Sequence, residues 1–408
     1  MTEHRGEPES RQAWLRLAAA LALMTIGGGG MYAIPVALPA LQAEFGVARS
    51  DASLPYTLTM IGFGLGGILM GRLADRFGVL VPVLIGCASL SAGFVLAGSA
   101  GSLSQFSVVH GVLIGLLGCS ATFAPLVADT SLWFTRRRGI AVAICASGNY
   151  LAGTVWPPIL QYFFEGYGWR ATYIGAGIFC LVAMLPLAAA LRQRPPLPAP
   201  AASGAAHGNT SMPLGMPPNV LMVILSVAGI ACCVAMSMPQ VHIVAYCADL
   251  GYGAARGAEM LSLMLGFGIV SRLASGWICD RIGGLRTLLL GSTLQGVALI
   301  LFLPFDGLVP LYVVSAMFGL FQGGIVPSYA IIVREYFSPK EAGARVGIVL
   351  MATLFGMALG GWLSGLIFDL TGSYRAAFIN GIAWNLVNVT IAVWLLRRSM
   401  GGGRLVPA

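Results

Sequence analysis

The sequence predicts an all-α membrane protein, with twelve transmembrane helices in two six-helix pseudo-symmetric halves. Three observations predict it: the composition, the spacing of apolar runs, and an internal repeat. Of 408 residues, 57% are apolar and only 9% are charged, against roughly 25% charged in an average soluble domain. The mean hydropathy is +0.84. A soluble enzyme, a coiled coil and a disordered chain are excluded, because each needs more polar residues than this chain has to face water.

Twelve apolar stretches run at residues 14–41, 53–71, 79–99, 104–132, 139–163, 171–191, 219–247, 258–279, 287–304, 310–333, 346–368 and 375–396. Each is near the length that a helix needs to cross a bilayer, about 20 residues. A backbone in lipid must satisfy its own hydrogen bonds, so runs of this length are expected to be helices. Residues 1–13 form a polar tail with Glu3, Glu7 and Glu9, and no cleaved leader is expected. Residues 193–218 hold seven prolines and read as an unstructured linker. It divides a half at 14–192 from a half at 219–396, and residues 397–408 form a second tail.

Charge placement predicts the orientation. With both termini cytoplasmic, 18 of the 23 basic residues lie on the cytoplasmic side. Arg49, Arg170, Arg256 and Arg375 lie on the other side, and Arg272 alone falls within a span. This bias follows the positive-inside rule and predicts an integral protein of the cytoplasmic (inner) membrane. The net charge of +8 therefore reports topology and contact with anionic lipid, and no nucleic-acid partner is implied. Cys87, Cys119, Cys145, Cys180, Cys232, Cys233, Cys247 and Cys279 lack metal-ligand spacing. They are read as small apolar packers, so no metal and no cofactor is expected.

The halves resemble each other. Gly71-Arg72-Leu73-Ala74-Asp75-Arg76-Phe77-Gly78 returns as Gly276-Trp277-Ile278-Cys279-Asp280-Arg281-Ile282-Gly283, offset by 205. Trp169-Arg170-Ala171 returns as Tyr374-Arg375-Ala376 at the same offset, and Trp133-Phe134 as Tyr336-Phe337 at 203. The glycines allow a tight turn between helices. Asp75, Arg76, Asp280 and Arg281 are candidate gating residues, the acids pairing with arginines or capping a helix N-terminus. This element matches the loop signature of the major facilitator superfamily, although Val79-Leu80 and Gly284-Leu285 replace the basic pair that often follows it. Gly67/Gly71, Gly111/Gly115, Gly356/Gly360 and Gly361/Gly365 are small-residue pairs suited to close helix packing.

A charge at membrane depth marks a candidate site. Arg272 sits about 14 residues, or roughly 21 Å, into span 8. Its planar fork matches a carboxylate, and its side chain leans toward the helix N-terminus and the midplane. His242, Tyr246 and Asp249 share one face of span 7, where a titratable pair would take up a proton. Asp129 lies one to two turns from Arg136-Arg137-Arg138, is expected to pair with them, and is a further candidate gating residue. His110 reads as a buried packer. Tyr32, Asn149, Tyr150, Gln322 and Tyr329 are candidates to line a cavity.

Trp133-Phe134-Thr135-Arg136-Arg137-Arg138-Gly139-Ile140-Ala141, followed by Ala146-Ser147-Gly148, resembles the span 4–5 junction of monocarboxylate and oxalate/formate transporters. Gly168-Trp169-Arg170, the His242-to-Asp249 segment, the span 8 arginine, and span 1 with Gly27 to Gly30, Tyr32, Pro39 and Glu44-Phe45-Gly46 are similar too. The resemblance covers residues 14–396. It implies that Arg272 binds a substrate carboxylate, that Tyr32, Tyr150 and Phe355 help to select small organic anions, and that Asp249 takes part in proton coupling. Two departures bear on the substrate. Gly268 stands where animal members carry an acid, and span 11 has no Lys or Arg to match the lysine of the oxalate exchanger. One fixed positive charge favours one negative charge, since a second carboxylate would be left unpaired in a low-dielectric cavity.

The expectation is a secondary transporter of small monocarboxylates, lactate- or pyruvate-like, coupled to protons and working by alternating access, with the monomer as functional unit. Its partners are then the carboxylate, protons and the lipid bilayer. The alternatives are an oxalate/formate-type exchanger and proton-driven efflux of other small molecules. Efflux is disfavoured by Gly153-Thr154-Val155-Trp156-Pro157-Pro158 in span 5, which departs from the exporters' Gly-Pro-x-x-Gly-Gly pattern. No nucleophile–base pair or phosphate loop suggests an enzyme.

Overall fold

A computed structural model describes residues 9–193 and 213–401, and every regular element among them is helical. The spans are α1 (Arg11–Phe45), α2 (Arg49–Phe77), α3 (Leu80–Gly98), α4 (Leu103–Trp133), α5 (138–167), α6 (169–189), α7 (Pro218–Asp249), α8 (Ala254–Ile282), α9 (Gly284–Leu301), α10 (Leu308–Tyr336), α11 (Pro339–Thr371) and α12 (Tyr374–Gly401). Eleven continuous apolar helical stretches give twelve spans, because the 52-residue stretch Arg138–Ala189 breaks at Gly168. There φ is 78° and ψ is 158°, a conformation open to glycine alone.

Three other spans are irregular. α1 is locally irregular at Gly28 within its glycine run, although φ −69° and ψ −14° there stay in the helical region. α4 widens to a π-helix over His110–Gly118, then tightens to a 3₁₀ turn at Cys119–Thr122. α10 is interrupted at Gly323–Gly324. Such irregular backbone is tolerated at membrane depth where neighbouring protein groups satisfy it.

Contacts group the chain into two compact units. The first comprises Met1–Ser203 with Val244–Ser262, and the second Gly204–Ile243 with Leu263–Ala408. The last turns of α7 and the start of α8 thus belong with the first unit, although the sequence puts them in the second half.

The repeated loop has nearly the same backbone in both copies. Gly78 has φ 83° and ψ 164°, and Gly283 has φ 84° and ψ 165°. Each N–H closes its helix at 2.8 Å, on the carbonyl of Ala74 and of Cys279 respectively. Asp75, Arg76, Asp280 and Arg281 are all exposed. The Arg281 guanidinium lies over the Trp277 ring at 3.6 Å, and Arg76 over Phe77 at 5.1 Å. The expected capping acid is different: Glu335 of α10, not Asp280, accepts the N–H of Gly284 at 3.0 Å.

Close packing also differs in part from expectation. A Cβ at Gly67 or Gly71 would meet nothing within 4 Å, so that pair faces open space. Gly115 does lie against α2, where a Cβ would come within 2.6 Å of the Thr59 carbonyl. Gly356 lies against α7 in the same way, 2.5 Å from the Ile230 carbonyl.

Most of the linker and the C-terminal tail, residues 194–212 and 402–408, lies outside the described residues. The linker's last part is folded: Pro213–Gly215 forms a 3₁₀ turn and Met216 is buried in the core of the second unit. The end of the N-terminal tail is also tied down. The Glu9 N–H donates to the Trp133 carbonyl at 3.0 Å, and its carboxylate accepts the N–H groups of Arg136 at 2.6 Å and Arg137 at 2.9 Å. Trp14 packs edge-on against Phe134 at 5.0 Å. The Arg137 backbone bond, with that of Arg136, lowers the Glu9 pKa below its usual value, so the carboxylate keeps its charge to lower pH than a free glutamate.

Gly78→Ala and Gly283→Ala are each expected to lower stability by about 1–3 kcal/mol, the cost of forcing a Cβ into this backbone region. Thermal unfolding in detergent checks this. Below neutral pH, the strap's contribution should persist until the pH falls through the lowered Glu9 pKa; comparing wild type with Glu9→Gln across pH tests it.

Candidate functional site

Buried charge identifies the chemistry-bearing places, and the first unit holds two arginines besides those expected. Arg16, on the first turns of α1, is only 4% exposed. Its Nε and Nη2 donate to the two Asp129 oxygens at 2.8 and 3.0 Å. Nη1 donates to the Ala190 carbonyl at 3.3 Å, and the guanidinium lies 4.6 Å from the centre of the Trp133 ring. Asp129 therefore pairs with Arg16, not with Arg136-Arg137-Arg138. Those three arginines are exposed at the helix entry, whereas Asp129 points across to α1. Arg272 is accordingly not alone among basic residues within a span.

The repeat shows what the pair adds. At the offsets read from the sequence, Arg16 corresponds to Leu221 and Asp129 to Ile332. Both are fully buried in the hydrophobic core of the second unit. The fold accommodates a purely apolar contact at this place, so the ion pair is a departure specific to the first half.

A second comparison concerns Asp249. Glu44-Phe45-Gly46 corresponds to Asp249-Leu250-Gly251 at offset 205. Glu44 accepts from Arg170 at 2.8 and 2.6 Å and from the Trp169 indole at 2.5 Å. Arg170 also donates to the Gly98 carbonyl at 3.1 Å, as Arg375 does to the equivalent Leu303 carbonyl at 3.1 Å. The arginine ends of the two motifs thus match. The acid ends do not: Asp249 accepts two bonds from Arg49, at 2.8 and 3.2 Å. Arg49 opens α2 and is 7% exposed, although its position suggested a loop charge.

His242, on the same face of α7, is fully buried in the second unit, and both ring nitrogens are engaged. Nε2 lies 2.8 Å from the Gly361 carbonyl, which requires an N–H there, and Nδ1 lies 3.1 Å from the Tyr374 hydroxyl. His242 falls in the second compact unit, with Gly361 and Tyr374, and Asp249 in the first, with Arg49.

The second unit also holds Arg272. It is half-buried, and its Nε has no exposed surface. α8 begins at Ala254, four residues earlier than expected, which puts Arg272 about 27 Å from that end and about 15 Å from Ile282. Beside it, α8 packs on α10 through small residues: a Cβ at Gly323 would lie 2.8 Å from Cβ of Ser271. The neighbouring Gln322 is fully buried and accepts from the Gln240 amide at 3.0 Å.

The other candidates separate by burial. Tyr32 and Tyr150 are 9% and 7% exposed, and Asn149 is half-buried. The Asn149 Oδ1 faces the α1 irregularity, 3.4 Å from where a Cβ on Gly28 would stand. Phe355 is 46% exposed on α11. Tyr329 is corrected: it has no exposed surface and donates to Asn388 at 2.7 Å within the packed core, so it lines no cavity. His110 is a buried packer, 4.7 Å from Phe106 and 5.7 Å from Tyr173 between ring centres. The eight cysteines are free and buried, and no metal-binding group occurs among the described residues.

The family model "Major Facilitator Superfamily" matches residues 19–311 and 268–404. "Monocarboxylate transporter 13" of Rattus norvegicus is 30% identical over 352 residues, covering 84% of this chain and 78% of the relative. "Monocarboxylate transporter 11" of Mus musculus is 26% identical, covering 92% and 85%. Among solved structures, the fold is similar to a peptide transporter in complex with sulfate, with a TM-score of 0.76, 14% identity and coverage of 98% of both chains.

Asp129→Asn is expected to destabilise the protein by about 3–5 kcal/mol, because it leaves a buried guanidinium without its counter-charge. The double change Arg16→Leu with Asp129→Ile copies the second half and is expected to recover most of that loss. Unfolding temperatures of the three proteins in one detergent check both expectations.

Proposed function

Because this chain belongs to the Major Facilitator Superfamily, within its monocarboxylate-transporter-like family, we propose that it carries small monocarboxylates of the lactate and pyruvate kind, with a proton, by alternating access. An integral membrane transporter, not an enzyme, is what that membership gives. The single observation that carries the substrate reading is Arg272, a permanent cation half-buried about two-thirds of the way along α8. Arginine holds its charge at any physiological pH and meets a carboxylate with two parallel N–H bonds.

Span 11 from Val346 to Phe368 contains no Lys or Arg. One cation then favours a singly charged guest over oxalate. Tyr32, Asn149, Tyr150, Gln322 and Phe355 are the proposed selecting residues, the aromatic rings excluding bulk and the amides hydrogen-bonding oxygen. The exposed loop residues Asp75, Arg76, Asp280 and Arg281 are the proposed gates, with Asp129 holding α4 to α1 behind them. We take both termini to be cytoplasmic, in the inner membrane, and the monomer to be the functional unit.

Asp249 is the proposed proton site. Its carboxylate is held by the Arg49 guanidinium, and a proton there would cancel one partner's charge and release the other. His242, with both ring nitrogens engaged, is better suited to fixing α7 against α11 than to carrying the proton.

Uptake of labelled lactate into proteoliposomes tests the reading. Arg272→Gln is expected to cut uptake by roughly 100-fold, about 3 kcal/mol of lost carboxylate binding. Wild-type rates in that variant would overturn the site. Uptake is expected to rise as the side from which substrate enters is acidified, and Asp249→Asn is expected to flatten that dependence.

A further inference from the structure

A groove of about 560 Å³ lies wholly within the first unit, between α5 and α6 with α1 as its floor. Its volume is in the range of small-molecule sites, roughly 300–1,000 Å³. One wall is a stripe at every fourth residue of α5: Val155, Ile159, Phe163 and Tyr167. The other is the matching stripe Ala171, Gly175 and Phe179 of α6. Ile159, Phe163 and Phe179 are 42%, 42% and 51% exposed, so the groove is open along one side of the unit, and its apolar rim suits lipid. We propose that it holds one acyl chain of a membrane phospholipid.

Length, polarity and polarity gradient each support that occupant. From Val155 to Tyr167 is about 18 Å along the helix. That is close to one leaflet's half of a hydrocarbon core about 30 Å thick. The groove carries no charged side chain, so an organic anion would enter it unpaired and at high cost. Its polar side chains along the floor and wall spend their hydrogen bonds inside the protein. The Thr25 hydroxyl donates to the Leu21 carbonyl at 2.8 Å, the Thr172 hydroxyl to Gly168 at 2.8 Å, and the Trp156 indole to Thr25 at 3.0 Å. A space lined by satisfied groups gives water few partners and suits hydrocarbon. At the mouth, Tyr167 is 72% exposed beside the Gly168 break. It stands where an interfacial tyrosine meets headgroups.

The deep end reaches the least regular part of α1. Trp156 fills the space beside Gly28; a Cβ on Gly29 would lie 2.5 Å from its ring. Its indole satisfies the Thr25 carbonyl, three residues before Gly28. Phe179 meets the same ring edge-on at 5.9 Å. A chain in the groove therefore packs against the side chain that bonds the Thr25 carbonyl beside the α1 irregularity.

Gly175 supplies the test, since a Cβ there would meet nothing within 4 Å. Purified protein in detergent is titrated with palmitoyl-oleoyl phosphatidylethanolamine while its unfolding temperature and its lipid retention in native mass spectrometry are read. Wild type is expected to gain several degrees and to retain one lipid. Gly175→Phe fills the groove and is expected to lose both effects, whereas Gly175→Ala controls for helix propensity and keeps both. Ala171→Phe, which blocks the mouth, is expected to behave like Gly175→Phe and serves if that variant does not fold. The proposal is overturned if the groove-filling variants keep the wild-type lipid response, or if soluble glycerophosphoethanolamine alone reproduces it.

Discussion

A charge withdrawn from water must meet its opposite, or it is expelled or neutralised. In a chain with so few charged residues, this constraint governs where each one goes. Arg16 is held by Asp129 and by the Ala190 carbonyl. Arg49 is held by Asp249. Arg170 is held by Glu44 and two carbonyls. Each arginine joins helices that are distant in sequence, and each bond is at least bidentate. Arg272, half-buried about two-thirds of the way along its helix, is the one whose charge the proposed function assigns to the cargo.

Duplication supplies the frame, and its lapses carry the information. The loop glycines agree to within a degree or so between copies, and Arg170 and Arg375 reach for equivalent carbonyls. Against that background, an ion pair facing Leu221 and Ile332 in the other copy is conspicuous, and so is an aspartate that takes a different arginine from its counterpart. Strict repetition reports what twelve helices need in order to pack. Departures report what the two halves do differently.

Much of the architecture was legible because it rests on short-range rules. Apolar run length gave the spans, and positive φ at Gly78 and Gly283 was implied by the repeated turn motif. The partners of charged residues were less legible. Asp129 lies close in sequence to three arginines and pairs with one that is 113 positions away, because those near it face water and the distant one is buried. Arg49 was counted with the loops, since nothing local marks the first residue of a helix as buried. Tyr329 read as a cavity residue because a phenol in a membrane helix has two uses. The Asn388 carbonyl oxygen that engages it comes from another helix. Aligning the two halves against each other does expose one of these: Arg16 stands opposite a leucine.

The pairing of Asp249 also bears on how the polypeptide is assembled. This residue is encoded after the linker, yet its turn of helix is grouped with the first compact unit. A transporter severed between the halves would part the Arg49 guanidinium from the Asp249 carboxylate. The first compact unit therefore draws an ion-pair partner from residues synthesised after the linker.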